Sequence, residues 1–184
     1  ECEKILLNDK SNMIKSIARP STVCGYSDRQ RFDLTVNIFT NQALNNNKIT
    51  VFGGKQMRPA LRIQDMVDFY LLLLKAPPKK INNKFFNISK ENFTIMDVAQ
   101  RIKSIVGKEI EIEVKEIIDN RSYKICSDKI KDELDFVPKY EIEDAVKELI
   151  DANNNNKFTD PLSNSLYYNI KKMKEIKLTW KWVT

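Results

Sequence analysis

The stretch Ala18-Arg19-Pro20-Ser21-Thr22-Val23-Cys24-Gly25 decides how this sequence is interpreted. It follows a short apolar run, Met13-Ile14-Lys15-Ser16-Ile17, and precedes a segment with helical spacing over residues 33–46. Strand, loop and helix in this order place the loop at the carboxyl end of a strand, where open α/β sheets bind their ligands. We therefore expect an α/β fold with a binding site beside residues 18–25.

Apolar periodicity predicts further helices and short strands along the chain. Thr94 and Asp97 have the spacing of a capping box, and Gly107 marks the C-terminal end of the helix that they begin. Residues 58–63 are expected to be extended, since Pro59 disfavours helix at the residue before it. Helices are expected over 1–10 (the end of one), 33–46, 64–76, 94–106, 127–134, 141–152 and 165–174, and strands over 13–18, 49–52, 84–88 and 110–114.

The composition is that of an ordinary soluble protein, with 42% hydrophobic and 30% charged residues in 184. The longest apolar run, Phe69-Tyr70-Leu71-Leu72-Leu73-Leu74, is far too short to cross a membrane, and the chain shows no charged-then-apolar leader. We expect a cytoplasmic protein with no membrane partner.

Cysteine and histidine usage limits the possible chemistry. The three cysteines, Cys2, Cys24 and Cys126, are widely spaced, which favours reduced thiols. Because the chain has no histidine, it offers few ligands for a transition metal and cannot contain a histidine-based catalytic triad. We predict no metal site.

Positive charge alone does not indicate a nucleic-acid-binding protein here. The net charge is +6, but the lysines are mostly interspersed with acidic residues. The one local cluster, Lys171-Lys172-Met173-Lys174, is typical of a solvated helix face. A basic nucleic-acid-binding module centred on residues 171–181 stays open as an alternative, and we consider nucleic acid an improbable partner.

A series of short motifs resembles the C-terminal half of the NAD-dependent epimerase/dehydratases, the extended short-chain dehydrogenase/reductases that act on nucleotide sugars. The resemblance covers residues 1 to about 151, and the order and spacing of the motifs carry it. They are Arg19-Pro20-x-x-Val23-x-Gly25, Arg31-Phe32-Asp33, Val51-Phe52-Gly53-Gly54, Arg58-Pro59 with Asp65, Phe86-Asn87-Ile88, Arg121-Ser122-Tyr123, Lys129-Ile130, Leu134-Asp135-Phe136-x-Pro138 and Glu143-Asp144-Ala145.

The resemblance implies a Rossmann-like fold with a small mixed α/β substrate-binding domain. Residues 1–32 would be the last helix and strand of a truncated dinucleotide-binding domain, and residues 33–184 a substrate-binding region with interleaved Rossmann elements. The catalytic Tyr-x-x-x-Lys and the Gly-rich loop of the family would precede Glu1, so no catalytic residue is assigned in this chain. Most of the NAD would be bound by that missing half, and the full-length protein would be a homodimer.

Arg58 and Arg121 are implied as ligands of the diphosphate, which a guanidinium can bind through two parallel hydrogen bonds. The alternative for each is a surface ion pair, for Arg121 with Asp119. Asp33 and Leu34 are implied on the nucleotide side of the pocket, although Asp33 could instead cap the following helix.

Thr50 and Phe52 share one face of their strand and suit a base and its edge, with core packing as the alternative for Phe52. Pro20 and Val23 would face the nicotinamide, and Thr22 would offer a hydroxyl to the substrate. A tight turn without a ligand is the alternative for these three residues.

Other residues are interpreted as structural or unusual. Asp65 is expected to cap or pair at the start of its helix. Ala60, Arg62 and Cys24 depart from the family pattern, which puts the sugar specificity in question. Tyr167-x-x-x-Lys171 matches the catalytic motif in letters only, because it follows the Arg-Pro loop and has no phosphate loop.

We therefore expect the nucleotide-sugar-binding portion of an NAD-dependent, UDP-glucose 4-epimerase-like epimerase or dehydratase, inactive as an isolated piece. A non-catalytic relative that acts as a binding or scaffold protein is the second alternative.

Overall fold

The computed structural model describes residues 1–116 and 121–177, in which helices alternate with short strands. The strands are β1 (Ser16–Pro20), β2 (Thr22–Cys24), β3 (Lys48–Phe52), β4 (Met57–Arg62), β5 (Lys84–Ile88), β6 (Glu91–Thr94) and β7 (Glu111–Lys115). The helices are α1 (Cys2–Asn8), α2 (Thr35–Asn46), α3 (Ile63–Lys75), α4 (Pro78–Ile81), α5 (Ile95–Val106), α6 (Asp128–Leu134), α7 (Ile142–Asn154) and α8 (Asn169–Glu175), and a 3-10 helix covers Ser165–Tyr167.

Parallel pairing dominates the sheets. β1 lies parallel to β5, β2 to β4, and β3 to β7, whereas β6 pairs with β4 in the antiparallel direction. Parallel neighbours cannot be joined by a tight turn, and helices separate the members of each parallel pair along the chain. The predicted α/β class is therefore confirmed.

Two hydrophobic clusters stabilise this arrangement. In the first, α2, α5 and α7 bury residues such as Phe39, Ile102 and Val146 together with β3. In the second, Phe69 of α3 packs against Phe86 and Phe136, with ring centroids 6.1 and 5.3 Å apart. Both clusters combine elements that are distant in sequence, so neither forms until several parts of the chain have come together.

Asp65 has a structural role, as expected, but its hydrogen-bond partners come from a part of the chain far from its own helix in sequence. It is 1% exposed, and its carboxylate accepts hydrogen bonds from the backbone N–H groups of Lys139 (2.7 Å) and Tyr140 (3.1 Å). Burial raises the pKa of Asp65, and these two bonds offset the rise only in part. The side chain therefore holds the turn that leads into α7.

The local signals of helix α5 are confirmed. Thr94 Oγ1 accepts from the Asp97 N–H and Asp97 Oδ2 accepts from the Thr94 N–H, both at 3.0 Å, which is a capping box. Gly107 is the C-cap residue. Such signals depend on neighbours within one turn, so the sequence alone can reveal them.

Several other boundaries differ from the prediction. The strand expected over 13–18 begins at Ser16, and Met13 and Ile14 are half exposed. The strand expected over 110–114 buries Ile110 but leaves Val114 52% exposed. The loop expected over 18–25 contains the end of β1 and all of β2, which pairs with β4. Strand β6 and helix α4 were also not predicted, and the helix expected over 165–174 is split at Tyr168.

Within residues 1–116 and 121–177, no helix has the length and the apolar character needed to cross a lipid bilayer.

Candidate nucleotide-sugar site

The two arginines predicted to bind a diphosphate lie side by side. Arg58 is the second residue of β4, and its guanidinium donates to the carbonyl oxygens of Met57 (2.9 Å) and Arg121. It also lies over the ring of Tyr123, 5.7 Å from the centroid. Arg58 is half-buried and Arg121 is exposed. The alternative partner Asp119 lies outside the described residues.

The segment after Arg121 is held against β4 and β6 by hydrogen bonds. The Ser122 hydroxyl accepts from the Met57 N–H at 2.9 Å. The Asn92 side-chain amide donates to the Ile125 carbonyl at 3.1 Å and accepts from the Ile125 N–H at 2.9 Å. These bonds keep Arg121 beside Arg58 although 63 residues separate the two in sequence.

Strand β3 presents the predicted base-binding residues on its accessible face. Ile49 and Val51 are fully buried, while Thr50 is half-buried and Phe52 is 51% exposed. The alternative that Phe52 packs in the core is therefore wrong. Because side chains alternate along a strand, burial of the two branched residues leaves Phe52 available for stacking.

Strand β7 adds charged residues that the sequence analysis missed. Glu113 lies opposite Thr50, and its carboxylate accepts from the Thr50 hydroxyl at 3.3 Å. Its oxygens also pair with Lys48 (3.3 Å) and Lys115 (3.4 Å). Desolvation raises the pKa of Glu113, but hydrogen bonds from the two ammonium groups lower it by more. The alternation of apolar and charged residues over 110–114 indicates a strand, but it does not show that this strand pairs with β3.

The loop after β2 is fixed by buried polar side chains. Gly25 has φ of +112°, a conformation that side-chain-bearing residues rarely adopt, and its N–H donates to Asn37 Oδ1 at 3.1 Å. Gln30 is 2% exposed, and its amide accepts from the Ser27 N–H at 3.1 Å and donates to the Gly25 carbonyl at 3.5 Å. The loop is therefore shaped before any ligand binds.

The residues predicted near the nicotinamide lie along β1 and β2. Pro20 is exposed at the end of β1, whereas Val23 is half-buried and packs on the second hydrophobic cluster. Thr22 pairs with Ala60, two residues along β4 from Arg58. Strand β4 therefore connects the two groups of predicted site residues.

Asp33 does not cap helix α2. The helix begins at Thr35, with Leu34 as its N-cap residue and no side-chain cap bond. The Asp33 carboxylate instead accepts from the Arg31 guanidinium (3.0 and 3.2 Å) and from the N–H of Asn169 (3.1 Å), the first residue of α8. Burial raises the pKa of Asp33, but these hydrogen bonds lower it by more, so the group is ionised. The Asp33 carboxylate therefore connects the loop after β2 to the start of helix α8.

Aromatic packing also connects the loop after β2 to the C-terminal segment. The buried Phe32 ring meets the rings of Phe158 (4.9 Å) and Tyr167 (5.2 Å) at steep angles. The Tyr167 hydroxyl accepts from the Thr159 N–H at 3.2 Å. Tyr167 belongs to the 3-10 helix and Lys171 to α8, so the two do not share one helix. Tyr167, the tyrosine of the Tyr-x-x-x-Lys match, therefore belongs to an aromatic packing cluster.

Two residues that depart from the family pattern have structural partners. Arg62 pairs with Glu148 at 2.5 Å and lies 4.4 Å above the centroid of the Tyr140 ring. Cys24 is 1% exposed, with its sulfur 3.5 Å from the Leu61 carbonyl oxygen. Burial raises the pKa of Cys24 to about 12.

We expect two of the three thiols to react with a thiol reagent such as DTNB in the native protein at pH 8. Cys2 and Cys126 are exposed, whereas Cys24 is buried and its thiolate is rare at that pH. The third equivalent should react only after addition of denaturant. A Cys24→Ala variant should show the same native count, and rapid titration of three thiols in the folded protein would contradict the prediction.

No group of three or more His, Cys, Asp or Glu side chains that could hold a metal ion occurs within residues 1–116 and 121–177.

The chain has a Rossmann-like α/β fold, which solved structures of a UDP-glucose 4-epimerase and a dTDP-glucose 4,6-dehydratase share. Residues 5–89 match the family described as the NAD dependent epimerase/dehydratase family, which confirms the resemblance found in the sequence.

Solved structures resemble this chain closely in fold. The protein Pal from Bacillus thuringiensis superposes with a TM-score of 0.71 at 22% identity, over 84% of this chain and 50% of its own. UDP-glucose 4-epimerase from Thermotoga maritima, solved with UDP-glucose, gives 0.68 at 23% identity, over 80% and 48%. dTDP-glucose 4,6-dehydratase from Bacillus anthracis, solved with NAD, gives 0.66 at 24% identity, over 79% and 47%. The chain thus spans about half the length of these structures.

Proposed function

We propose that this chain is the nucleotide-sugar-binding portion of an NAD-dependent sugar epimerase or dehydratase, with the diphosphate of the substrate bound by Arg58 and Arg121. The proposal rests on the contact between these two arginines and on the exposure of Phe52 at the end of β3. Guanidinium groups bind phosphate oxygens through paired charge-assisted hydrogen bonds, and an exposed aromatic ring offers a base a stacking surface. Few other ligand classes require both features together.

The remaining predicted residues extend this proposal. Thr50 approaches the edge of the base, and Leu34 lines the nucleotide side of the pocket. Asp33 is kept ionised by Arg31 and Asn169, so its carboxylate can accept from a ribose or sugar hydroxyl. Thr22 offers its hydroxyl to the sugar.

In this proposal the nicotinamide of NAD lies against the surface near β1. Pro20 is exposed and Val23 is half-buried, and together they offer an apolar surface to the flat nicotinamide ring. The cofactor, when bound, accepts a hydride from a sugar carbon and returns it. In this proposal the residues of the chain bind and orient the sugar, which lowers the barrier by holding it in a reactive position.

The open side of β1 supports the proposal that residues 1–32 complete a dinucleotide-binding domain. Among the described strands, β1 pairs with β5 on one edge and has no partner on the other. A cavity of about 630 Å³ lies beside it, lined by apolar residues such as Ile14, Ala18 and Leu73. Parallel sheets are normally covered on both faces, so this side is suited to further strands and helices of a longer protein, which we propose is a homodimer.

Removing either arginine should weaken binding of UDP-glucose or dTDP-glucose by about 10- to 100-fold, the equivalent of losing a charge-assisted hydrogen-bonded pair. Calorimetric titration of the chain with each nucleotide sugar measures the effect. The variant Arg58→Lys keeps the positive charge but cannot form two parallel hydrogen bonds, so it separates the contribution of charge from that of geometry. Lys108→Ala is the matched control for net charge, since Lys108 is exposed on the turn after α5. Equal affinity in the parent, Arg58→Ala and Arg121→Ala would refute the site.

The isolated chain should turn over no nucleotide sugar, even with NAD added, because the acid/base tyrosine and the phosphate loop of the proposed enzyme lie in its other half. The assay follows NAD reduction and the appearance of an epimerised or dehydrated sugar in the presence of pure chain. Detectable turnover that disappears in Arg58→Ala would show that the chain itself contains a complete active site.

A further inference from the structure

Two exposed charged side chains of helix α8 bond residues that precede the helix. The Lys171 ammonium donates to the carbonyl oxygen of Ser163, and the Glu175 carboxylate accepts from the Ser165 hydroxyl at 2.6 Å. Amphipathic helices of globular proteins normally bury their apolar side, which is what stabilises them, whereas α8 has no buried residue. The charged side chains of α8 are therefore used to attach the helix to the fold.

The opposite side of α8 carries apolar residues that are in contact with solvent. Ile170 is 71% exposed, Met173 37% and the C-cap residue Ile176 54%. They are three residues apart, so they fall within an arc of about 120° at 100° per residue. We call these three residues the outer face of α8.

Lysines border the outer face on both sides. Lys172 and Lys174 flank it on the helix, and Lys177 follows directly. Residues 169–184 contain five lysines against one glutamate, a net charge of +4, whereas the whole chain has +6. Both tryptophans of the chain, at positions 180 and 182, follow in the same stretch of sequence.

We propose that the outer face of α8 binds the surface of an anionic lipid bilayer, with its apolar side chains in the boundary between headgroups and acyl chains. An apolar stripe flanked by lysines is the pattern of helices that lie in the plane of a membrane interface. The lysine stems can extend along the apolar surface while their ammonium groups reach lipid phosphates. Tryptophan prefers the same interfacial depth.

Charge and chemistry disfavour the other occupants. A second copy of the chain would bring another +4 against this face, which opposes self-association. A nucleic acid would be attracted by the lysines but would gain little from Ile170, Met173 and Ile176. The outer face includes none of the residues proposed to bind nucleotide sugar, so this proposal does not depend on that function.

The two tryptophans make the test direct, because their fluorescence reports on this stretch alone. The chain is titrated with phosphatidylcholine vesicles that either contain or lack phosphatidylserine, and binding is checked by co-sedimentation. We expect a blue shift and sedimentation with the anionic vesicles only, and weaker binding as salt rises. The variant Ile170→Ser/Met173→Ser/Ile176→Ser should bind about tenfold more weakly or worse.

Two further variants keep the test interpretable. Lys172→Gln/Lys174→Gln should also weaken binding several-fold, because each lysine near an anionic surface contributes separately. Lys79→Gln/Lys80→Gln removes the same charge from helix α4 and should bind as the parent does.

The proposal is overturned if the parent chain does not bind anionic vesicles, or if the triple serine variant binds them equally well. It is also overturned if binding occurs only to RNA or to acidic polypeptide. Dimerisation that the triple serine variant abolishes, measured by analytical ultracentrifugation without lipid, would assign the outer face to a second copy instead.

Discussion

Replacing Phe32 by alanine lowers the free energy of unfolding by about 3–5 kcal/mol, the expected cost of emptying a buried aromatic position. The ring is 1% exposed and packs edge-on against Phe158 and Tyr167, which belong to the end of the chain. The cavity would open between the loop after β2 and residues 158–167. We therefore expect the C-terminal segment to detach more easily than the rest of the fold.

Urea denaturation followed by circular dichroism measures the loss of stability, and limited proteolysis shows whether residues 158–177 become accessible first. Phe52→Ala is the matched control, because it removes the same ring from a half-exposed position and should change stability by less than about 1 kcal/mol. The same control should weaken nucleotide-sugar binding, so the two phenylalanines separate stability from binding. Similar stability losses in the two variants would show that Phe32 does not join the loop to the C-terminal segment.

Replacing Asp65 by alanine is expected to cost about 2–4 kcal/mol of folding free energy. The substitution leaves the backbone N–H groups of Lys139 and Tyr140 without their acceptor in a buried position. Asp65→Asn keeps one acceptor oxygen and should cost less. Asp68→Ala is the control on the same helix. The Asp68 carboxylate accepts from the side-chain amide of Gln64 at 2.8 Å, so its removal leaves no backbone N–H without an acceptor.

The pH dependence of Asp65 has a defined sign. Burial raises its pKa in the folded protein above the unfolded value of about 3.9, so the folded state holds the proton more tightly. The stability that this group contributes is greatest below the unfolded pKa and falls as pH rises through the folded pKa. The difference in stability between the parent and Asp65→Asn should therefore shrink as pH rises across this window, and a difference that grows would contradict the pKa direction.

Local sequence signals predicted most helices well. Helix α5 begins and ends where the capping box and Gly107 indicate, and β5 occupies the residues expected for it. Strand β6 was missed because Phe93 is its one large apolar residue, and it exists by pairing with β4. A strand of that kind has no periodic pattern of its own to detect.

The site residues predicted from the sequence stay predictions, and the structure adds geometry that the sequence did not contain. Family spacing pointed to Arg58 and Arg121, and the structure brings them into contact. The partners of Thr50 and Asp33 could not be predicted, because Glu113 and Asn169 lie 63 and 136 residues away. Which of these residues bind a nucleotide sugar stays a prediction until binding is measured.

The sequence by itself determined the α/β class, the resemblance to a known family and the positions of most helices, since these depend on periodicity, caps and motif spacing within short stretches of chain. Tertiary structure alone decided what each polar group bonds and which way each face points. Helix α8 illustrates the difference: its pattern predicts an amphipathic helix, but its charged side chains bond Ser163 and Ser165 while its apolar residues stay exposed. The physical reason is that a periodic pattern defines two faces, whereas the partners available in the folded chain decide which face is buried.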